Sequence, residues 1–372
     1  MWVIASIGLI DDAERTKVVA KDRHAAGNKV LGFADDLKLL ETEQRDLKDA
    51  GTQVLRFCQD ARINMEPSKE KLTAFYMPTN TSSTNTIRKN TDRAREGIQP
   101  KPVVEDIFTR RSGTELSKKE FDHEQVVYGP GPNQKLDIFA PGFLPKNAPI
   151  FVYFHGGYWQ ALCAEFSSFA ARNVLKAGGV HVTVGYDLAP QATMSQMVSQ
   201  AKQAVEFVVG LAKTRDSRGI YIGGHSAGGH LAAMMMCQNW HELIGEDAKY
   251  IKGALLISGV FDLRPLLKTY VNEPIKMTEE EAWLCSPWNP TNLDQFIKTT
   301  VKSKCSITIA IGAHESTEFR RQSDEFNQVL QSNGLLTKLV DIPDVDHFDV
   351  CHNLSQPDYT LTKVLMDMIE LV

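Results

Sequence analysis

Ser226 stands in a short motif whose residue types and spacing suit nucleophilic catalysis. The motif is GHSAG at 224–228, with the apolar run GIYIG before it and the small-residue run GHLAA after it. This order predicts a strand, a sharp turn and a helix, with the serine hydroxyl exposed above the sheet at the turn. The flanking glycines let the strand and the helix approach each other. We therefore predict a nucleophilic serine, supported by the N-terminal dipole of the following helix.

A second motif, HGGYW at 155–159, follows another apolar run. Attack on a carbonyl group creates an oxyanion, which backbone N–H groups stabilise. Glycine suits such a loop because a side chain would keep the substrate carbonyl away from the backbone. We assign this hole to the N–H groups of Gly156 and Gly157, together with that of Ala227 directly after the serine. His155 is predicted to order the loop by hydrogen bonding rather than to act as a base.

A serine nucleophile also needs a base. In strand–turn–serine–helix enzymes the base follows the last strand of the sheet. His347 fits because it lies in DVDHFD, after the apolar segment LLTKLVDIP, whereas His352 lies inside or beside the closing helix. His225 and His230 flank the serine. We interpret both as packing residues, because a histidine adjacent in sequence usually points away from the hydroxyl.

The base in turn needs a carboxylate to orient it. Glu315 follows the apolar run SITIAIG and precedes an amphipathic helix, which makes it the preferred candidate. Glu318 would fall in the first turn of that helix, where a carboxylate can simply favour the helix dipole. Asp262 in SGVFDL follows an earlier strand and is the alternative acid.

The elements that must position these residues are short apolar runs alternating with helical stretches. The runs are continuously apolar, as is typical of strands buried on both faces; they are 136–140, 149–155, 180–186, 219–224, 253–259 and 306–312. Helical spacing of apolar residues is found between them, at 195–214, 319–333 and 359–371. This alternation predicts an α/β fold, with a mostly parallel central sheet and helices on both faces, over residues 115–372.

Composition and charge exclude several classes of protein. The chain has 372 residues, 42% of them hydrophobic, and a net charge of −5 from 41 Lys+Arg and 46 Asp+Glu. We therefore expect no nucleic-acid surface. The apolar stretch 1–10 is too short to span a bilayer, so no membrane partner is expected. The six cysteines form no CxxC pair, which argues against a zinc or redox site and favours a cytoplasmic protein.

The first 77 residues differ from the rest of the chain. GFADDL and INMEPSKEKLTAF, within residues 21–75, resemble the palm segment of a retroelement reverse transcriptase, in which paired aspartates hold divalent metal. Asp35 and Asp36 would be that pair. The segment leaves no room for the further aspartate, the fingers and the thumb that such an enzyme needs. We interpret 1–77 as a non-catalytic fragment, with a chance resemblance as the alternative, and the polar stretch 78–114 as a linker.

Seven motifs in the remaining chain occur together and in order. They are HGGYW, VGYDLAP, GHSAGGHLAA, SGVFDL, VNEPIKMTEEEAWLCSPWNP, GAHESTEFRRQS and DVDHFD. From about residue 120 to residue 372, the chain resembles the kynurenine formamidase (arylformamidase) branch of the esterase/lipase α/β-hydrolases. The resemblance places the family's nucleophile on Ser226, its base on His347 and its acid, an aspartate in the family, on Glu315. The family's own helical N-terminal segment is matched only at about 115–125.

The resemblance also implies an activity. The family hydrolyses N-formyl-L-kynurenine to L-kynurenine and formate without a metal or other cofactor, so the expected partner is a small aryl formamide. Tyr158 and Trp159 beside the oxyanion loop either form an aromatic wall for the aryl group or pack the loop. A homodimer is a possible assembly. The alternatives are a carboxylesterase of broader specificity and a catalytically compromised fusion product.

Overall fold

The computed structural model describes residues 4–8, 17–21, 71–75 and 113–371. The chain divides into two compact units, Met1–Phe108 and Thr109–Val372. In the described parts of the chain, no helix is both long enough and apolar enough to cross a bilayer.

In the first unit the structure describes three strands, β1 (Ile4–Gly8), β2 (Lys17–Lys21) and β3 (Lys71–Phe75). They form an antiparallel sheet in the order β2-β1-β3. Asp35, Asp36 and most of the proposed linker lie outside the described residues, so the interpretation of this region as a polymerase-like fragment stays a prediction.

The second unit is built on an eight-stranded sheet. Its strands are β4 (Glu124–Val127), β5 (Lys135–Phe139), β6 (Ile150–Phe154), β7 (Val180–Val184), β8 (Ile220–His225), β9 (Ile251–Ile257), β10 (Ser306–Gly312) and β11 (Thr337–Ile342). Their order is β11-β10-β9-β8-β6-β7-β5-β4. The six strands from β6 to β11 are parallel, and β5 and β4 extend the sheet antiparallel at one end. This confirms the predicted mostly parallel sheet.

Helices cover both faces of this sheet. A helical segment spans 113–120, and the α-helices after it are α1 (Ala171–Lys176), α2 (Met194–Arg215), α3 (Ala227–Met236), α4 (Trp240–Ile244), α5 (Asn272–Ile275), α6 (Glu279–Leu284), α7 (Pro290–Ser303), α8 (Thr317–Ser332), α9 (Asp349–His352) and α10 (Thr360–Met368). Alternate residues of β6 belong to two separate cores: Val152 packs in one of them and Tyr153 in the other. Burial on both faces explains why this strand is continuously apolar.

The parallel strands bring the candidate residues to one edge of the sheet. Phe154 at the end of β6 pairs with Gly224 of β8, and His225 at the end of β8 pairs with Ile257 of β9. The segments that leave these strands at their carboxyl ends therefore start side by side, which is where open α/β sheets bind their ligands. The segments after β10 and β11 start at the same edge, because β10 and β11 continue the parallel set.

The helical segment 113–120 belongs to this second unit. The Ser117 hydroxyl donates to the Ser168 carbonyl at 3.1 Å, and Lys118 pairs at 3.0 Å with Asp137, whose side chain is only 1% exposed. Helical structure is thus present two residues before the predicted start of the hydrolase-like region. These contacts join it to the strand β5 and to the segment before α1.

Candidate active site

Ser226 lies at the turn between β8 and α3. Its backbone φ is 58° and its ψ is −119°, a conformation that favours glycine and strains any other residue. The Ser226 N–H donates to the Ile257 carbonyl at 2.9 Å, and the Ser226 carbonyl accepts from the His230 N–H at 3.0 Å. These backbone bonds hold the strained turn in place, as is typical of a nucleophile that must project above the sheet.

The two glycines of the serine motif are required by close packing. A Cβ added to Gly228 would lie 2.0 Å from the Phe154 carbonyl oxygen, and a Cβ on Gly224 would lie 2.2 Å from the carbonyl oxygen of Gly228. Neither distance is compatible with a side chain. The predicted close approach of strand and helix is therefore confirmed.

The loop after β6 runs directly against the serine. A Cβ added to Gly156 would lie 2.9 Å from the His225 carbonyl oxygen and 3.3 Å from the Ser226 Cβ. Gly157 has a φ of +102°, which glycine adopts without strain. Ala227, the third residue assigned to the oxyanion hole, is the first residue of α3. The structure thus brings Gly156 next to Ser226, with Gly157 and Ala227 as their immediate chain neighbours.

His155 orders this loop. Its Nδ1 donates to the Gly156 carbonyl at 2.9 Å, and its ring stacks on Tyr186 at 4.3 Å. The Tyr186 hydroxyl in turn donates to the His155 carbonyl at 2.8 Å. These bonds confirm the predicted structural role of His155.

The two aromatic residues after Gly157 occupy different surroundings. Trp159 is 0% exposed and its ring packs edge-on against His230 at 5.1 Å. Trp159 therefore packs the loop in this structure and presents no surface to a ligand. Tyr158 is only partly buried, and its φ of +49° makes it a strained residue of the loop. Of the two residues proposed as an aromatic wall, Tyr158 is the one that keeps some exposed surface.

His230 is a fully buried packing residue. Its Nε2 donates to the Cys285 carbonyl at 2.7 Å, which joins α3 to the segment after α6. Burial lowers the pKa of His230 to about 4. Burial likewise lowers the pKa of His181, on β7, to about 3. Both rings are therefore neutral at neutral pH, because the protein interior disfavours the imidazolium.

These two histidines predict a loss of stability in acid. Below about pH 6.5 these histidines are protonated in the unfolded chain but stay neutral in the folded protein. The free energy of unfolding therefore decreases as the pH falls from about 6.5 towards the lowered pKa values. Each histidine contributes a loss of about 2 kcal/mol between pH 7.5 and pH 5.0. Urea unfolding at these two pH values measures the effect. His230→Gln keeps a side-chain donor but cannot titrate. In this variant we expect the difference in unfolding free energy between pH 7.5 and pH 5.0 to be about 2 kcal/mol smaller than in the wild type.

The control for this measurement is Leu336→Gln, a substitution that involves no titratable group, at a position that is 98% exposed. It should leave the pH dependence of unfolding unchanged. An equal pH dependence in the wild type and in His230→Gln would contradict the prediction.

His347 is bound to the preferred acid. Its Nδ1 lies 2.7 Å from Oε1 of Glu315, and the Glu315 side chain is 1% exposed, against 12% for His347. Because Nδ1 is engaged with the carboxylate, Nε2 is the nitrogen left for a reacting group. The His347 ring lies 4.5 Å from the ring of His225, directly before the serine. The sequence-predicted serine, base and acid thus come from three separate segments that meet at one edge of the sheet.

The other candidates have partners elsewhere. Asp262 forms an ion pair with Arg264 at 2.8 Å, and Glu318 lies in the first turn of α8, where it pairs with Arg321 at 2.6 Å. His352 is buried, with its ring 5.9 Å from Phe169. The carboxylate hydrogen-bonded to His347 is therefore that of Glu315.

One residue at the site was not singled out from the sequence. The ring of Phe319 lies 4.4 Å from the ring of His347 and 6.5 Å from that of Tyr158. It lies four residues after Glu315, within the first turn of α8. Its spacing from Glu315 is visible in the sequence, but spacing alone does not show that this side of α8 faces the base.

Comparison with known proteins places this geometry in a family. The family model described as the alpha/beta hydrolase fold matches residues 151–349. Kynurenine formamidase of Danio rerio is 41% identical over 264 residues, covering 71% of this chain and 87% of that protein. Kynurenine formamidase of Drosophila melanogaster is 26% identical and covers 75% of this chain and 93% of that protein.

A solved structure agrees on the fold. A hyperthermophilic esterase from the archaeon Pyrobaculum calidifontis superposes with a TM-score of 0.51 at 19% identity, covering 71% of this chain and 91% of that one. A likeness at this identity concerns the fold alone. The family assignment depends on the 41% identity to the Danio rerio enzyme. The chain is a member of the kynurenine formamidase family of α/β-hydrolases.

Proposed function

We propose that this chain hydrolyses N-formyl-L-kynurenine to L-kynurenine and formate, with Ser226, His347 and Glu315 as its catalytic triad. The observation that carries the proposal is the 2.7 Å bond between His347 and the buried Glu315, at the sheet edge where Ser226 sits in a strained turn. Family membership supports the choice of substrate.

In the first half of the reaction Ser226 Oγ attacks the formyl carbon, and His347 Nε2 takes the hydroxyl proton. The C–N bond of the resulting tetrahedral intermediate then breaks. His347 gives the proton to the departing aniline nitrogen, which leaves as the neutral amine of L-kynurenine. The product on the enzyme is a formyl ester of Ser226.

Water completes the reaction. His347 takes a proton from a water molecule as its oxygen attacks the formyl ester, and the second tetrahedral intermediate expels Ser226 Oγ. The proton on His347 returns to the serine oxygen. Formic acid leaves and ionises to formate and a proton, so one water is consumed for each amide bond cleaved.

The loop beside Ser226 suits the stabilisation of both intermediates. We assign the oxyanion to the backbone N–H groups of Gly156, Gly157 and Ala227. A loop held by His155 cannot reorganise freely, so its dipoles are already oriented before charge develops, and each such donor is typically worth two to three orders of magnitude in rate (about 2.7–4 kcal/mol). Glu315 keeps Nδ1 of His347 protonated and stabilises the imidazolium that forms twice in each cycle.

The test of the proposal uses the full chain. Release of L-kynurenine from N-formyl-L-kynurenine is followed spectroscopically beside the hydrolysis of a p-nitrophenyl ester, and a fluorophosphonate probe reports on the nucleophile. We expect formamide turnover and labelling of Ser226. Rapid ester turnover without formamide turnover would instead identify a carboxylesterase of broader specificity, and an unlabelled Ser226 would identify a catalytically compromised chain.

We place this activity in the cytoplasm and expect a small aryl formamide as the partner, with no role for nucleic acid or membranes. The cysteines of the described residues, at positions 163, 237, 285, 305 and 351, are all free thiols. Free thiols are usual in a reducing compartment. The homodimer stays a prediction, which sedimentation velocity can measure.

A further inference from the structure

Phe319 touches the base of the proposed triad. Its ring centroid is 4.4 Å from that of His347, with the two ring planes at 41°. Its backbone N–H points to the Oγ of Ser316, the residue that caps α8. The ring is therefore held on the first turn of the helix that follows Glu315, and it is partly buried rather than sealed in the core.

Phe319 also faces the oxyanion loop. Its ring lies 6.5 Å from that of Tyr158, which directly follows Gly157 and is itself partly buried. Such a distance lies within the range of aromatic pairs. Phe319 therefore bridges the base and the loop, and both rings keep surface that a bound molecule can contact.

The chemistry of a formamide decides which part of the substrate can meet this surface. The formyl group carries only a hydrogen atom on its carbon, so recognition must come from the leaving group. The leaving nitrogen has to lie within hydrogen-bond distance of His347 Nε2, because that atom returns the proton. Groups attached to this nitrogen then lie close to the His347 ring, where the ring of Phe319, at 4.4 Å, is nearer than that of Phe348, at 5.6 Å.

We infer that Phe319, paired with Tyr158, is a specificity-determining residue that selects aryl over alkyl leaving groups by contact with the aromatic ring. The inference rests on the proposed function for the identity of the reaction. It concerns the leaving group alone, since Phe319 takes no part in the proton transfers. Offset or edge-to-face contact with an aryl ring accounts for a preference of about two- to tenfold, because an aromatic pair typically adds 0.5–1.5 kcal/mol.

The test compares substrates that share one acyl group. Ethyl formate, phenyl formate and N-formyl-L-kynurenine all give the same formyl-serine, so deacylation is common to them and differences in kcat/KM report on the leaving group. The variants are Phe319→Leu, which removes the aromatic ring, and Phe319→Tyr, which keeps an aromatic ring at this position. Phe143→Leu is the matched control, because Phe143 is 66% exposed.

We expect Phe319→Leu to lower kcat/KM for the two aryl substrates by about two- to tenfold and to leave kcat/KM for ethyl formate unchanged. Phe319→Tyr should keep the wild-type ratio of kcat/KM for the aryl substrates to that for ethyl formate. Phe143→Leu should leave all three kcat/KM values unchanged. An equal loss on all three substrates would overturn the inference, because Phe319 would then merely hold His347 in place. An unchanged ratio of phenyl formate to ethyl formate would overturn it as well.

The two esters separate this inference from the proposed function. If the wild type hydrolyses both formate esters but not N-formyl-L-kynurenine, the proposed function fails. The comparison of phenyl formate with ethyl formate still tests the aryl preference and its loss in Phe319→Leu. The inference about Phe319 can therefore be tested even if the proposed function fails.

Discussion

Replacing Ser226 by alanine should lower kcat on N-formyl-L-kynurenine by at least about 10⁴-fold and abolish labelling by a fluorophosphonate probe. The reason is that no formyl-enzyme can form without the hydroxyl, and only the oxyanion hole and substrate binding remain to accelerate the reaction. The fold should survive, because Ser226 holds its turn through its backbone, by way of its N–H to Ile257 and its carbonyl to His230. A stopped assay that can detect about one product molecule per enzyme molecule measures the residual rate.

A second substitution at this position separates catalysis from stability. Ser226 has a φ of 58° and a ψ of −119°, where a side chain costs of order 1–3 kcal/mol. Ser226→Gly should therefore be as inactive as Ser226→Ala and more stable than it by about 1 kcal/mol in urea unfolding, after the extra entropy of glycine in the unfolded chain is deducted. Substantial formamide turnover by either variant would disprove the assignment of the nucleophile.

Replacing Glu315 by glutamine should lower kcat by about 10³- to 10⁴-fold. A glutamine amide can donate to Nδ1 of His347 and so favour the tautomer whose Nε2 already carries a proton, which leaves no base for the serine hydroxyl. Glu315→Asp keeps the charge but shortens the side chain by one methylene, so an intermediate rate is expected. Asp262→Asn should change kcat less than tenfold, because Asp262 pairs with Arg264.

Stability provides an independent test of the same substitution. Oε2 of Glu315 is buried and has no hydrogen-bond partner among the described residues, and burial of such a carboxylate does not favour folding. Glu315→Gln should thus unfold within about 1 kcal/mol of the wild type. If Asp262→Asn were the slower of the two variants, the acid would have been assigned to the wrong strand.

The sequence predicted much of this site because its motifs are local. A serine at a strand–turn–helix junction needs glycines on both sides, and the 2.0 Å that would separate a Cβ on Gly228 from the Phe154 oxygen shows how directly the chain encodes that requirement. The mostly parallel sheet was predictable because continuously apolar runs alternate with helical stretches along the chain. Asp35 and Asp36 of the first unit lie outside the described residues, so their interpretation stays untested.

Residue spacing alone determined the strand–turn–helix placement of Ser226, the glycine loop beside it and the order of serine, acid and base along the chain. The tertiary structure decided which carboxylate meets His347, since Glu315 and Asp262 both follow strands and only packing distinguishes them. It also decided that Trp159 is buried against His230 while Tyr158 and Phe319 keep accessible surface. Those outcomes depend on contacts between residues far apart in sequence and on the rotation of α8 about its axis, and neither is encoded in a local pattern.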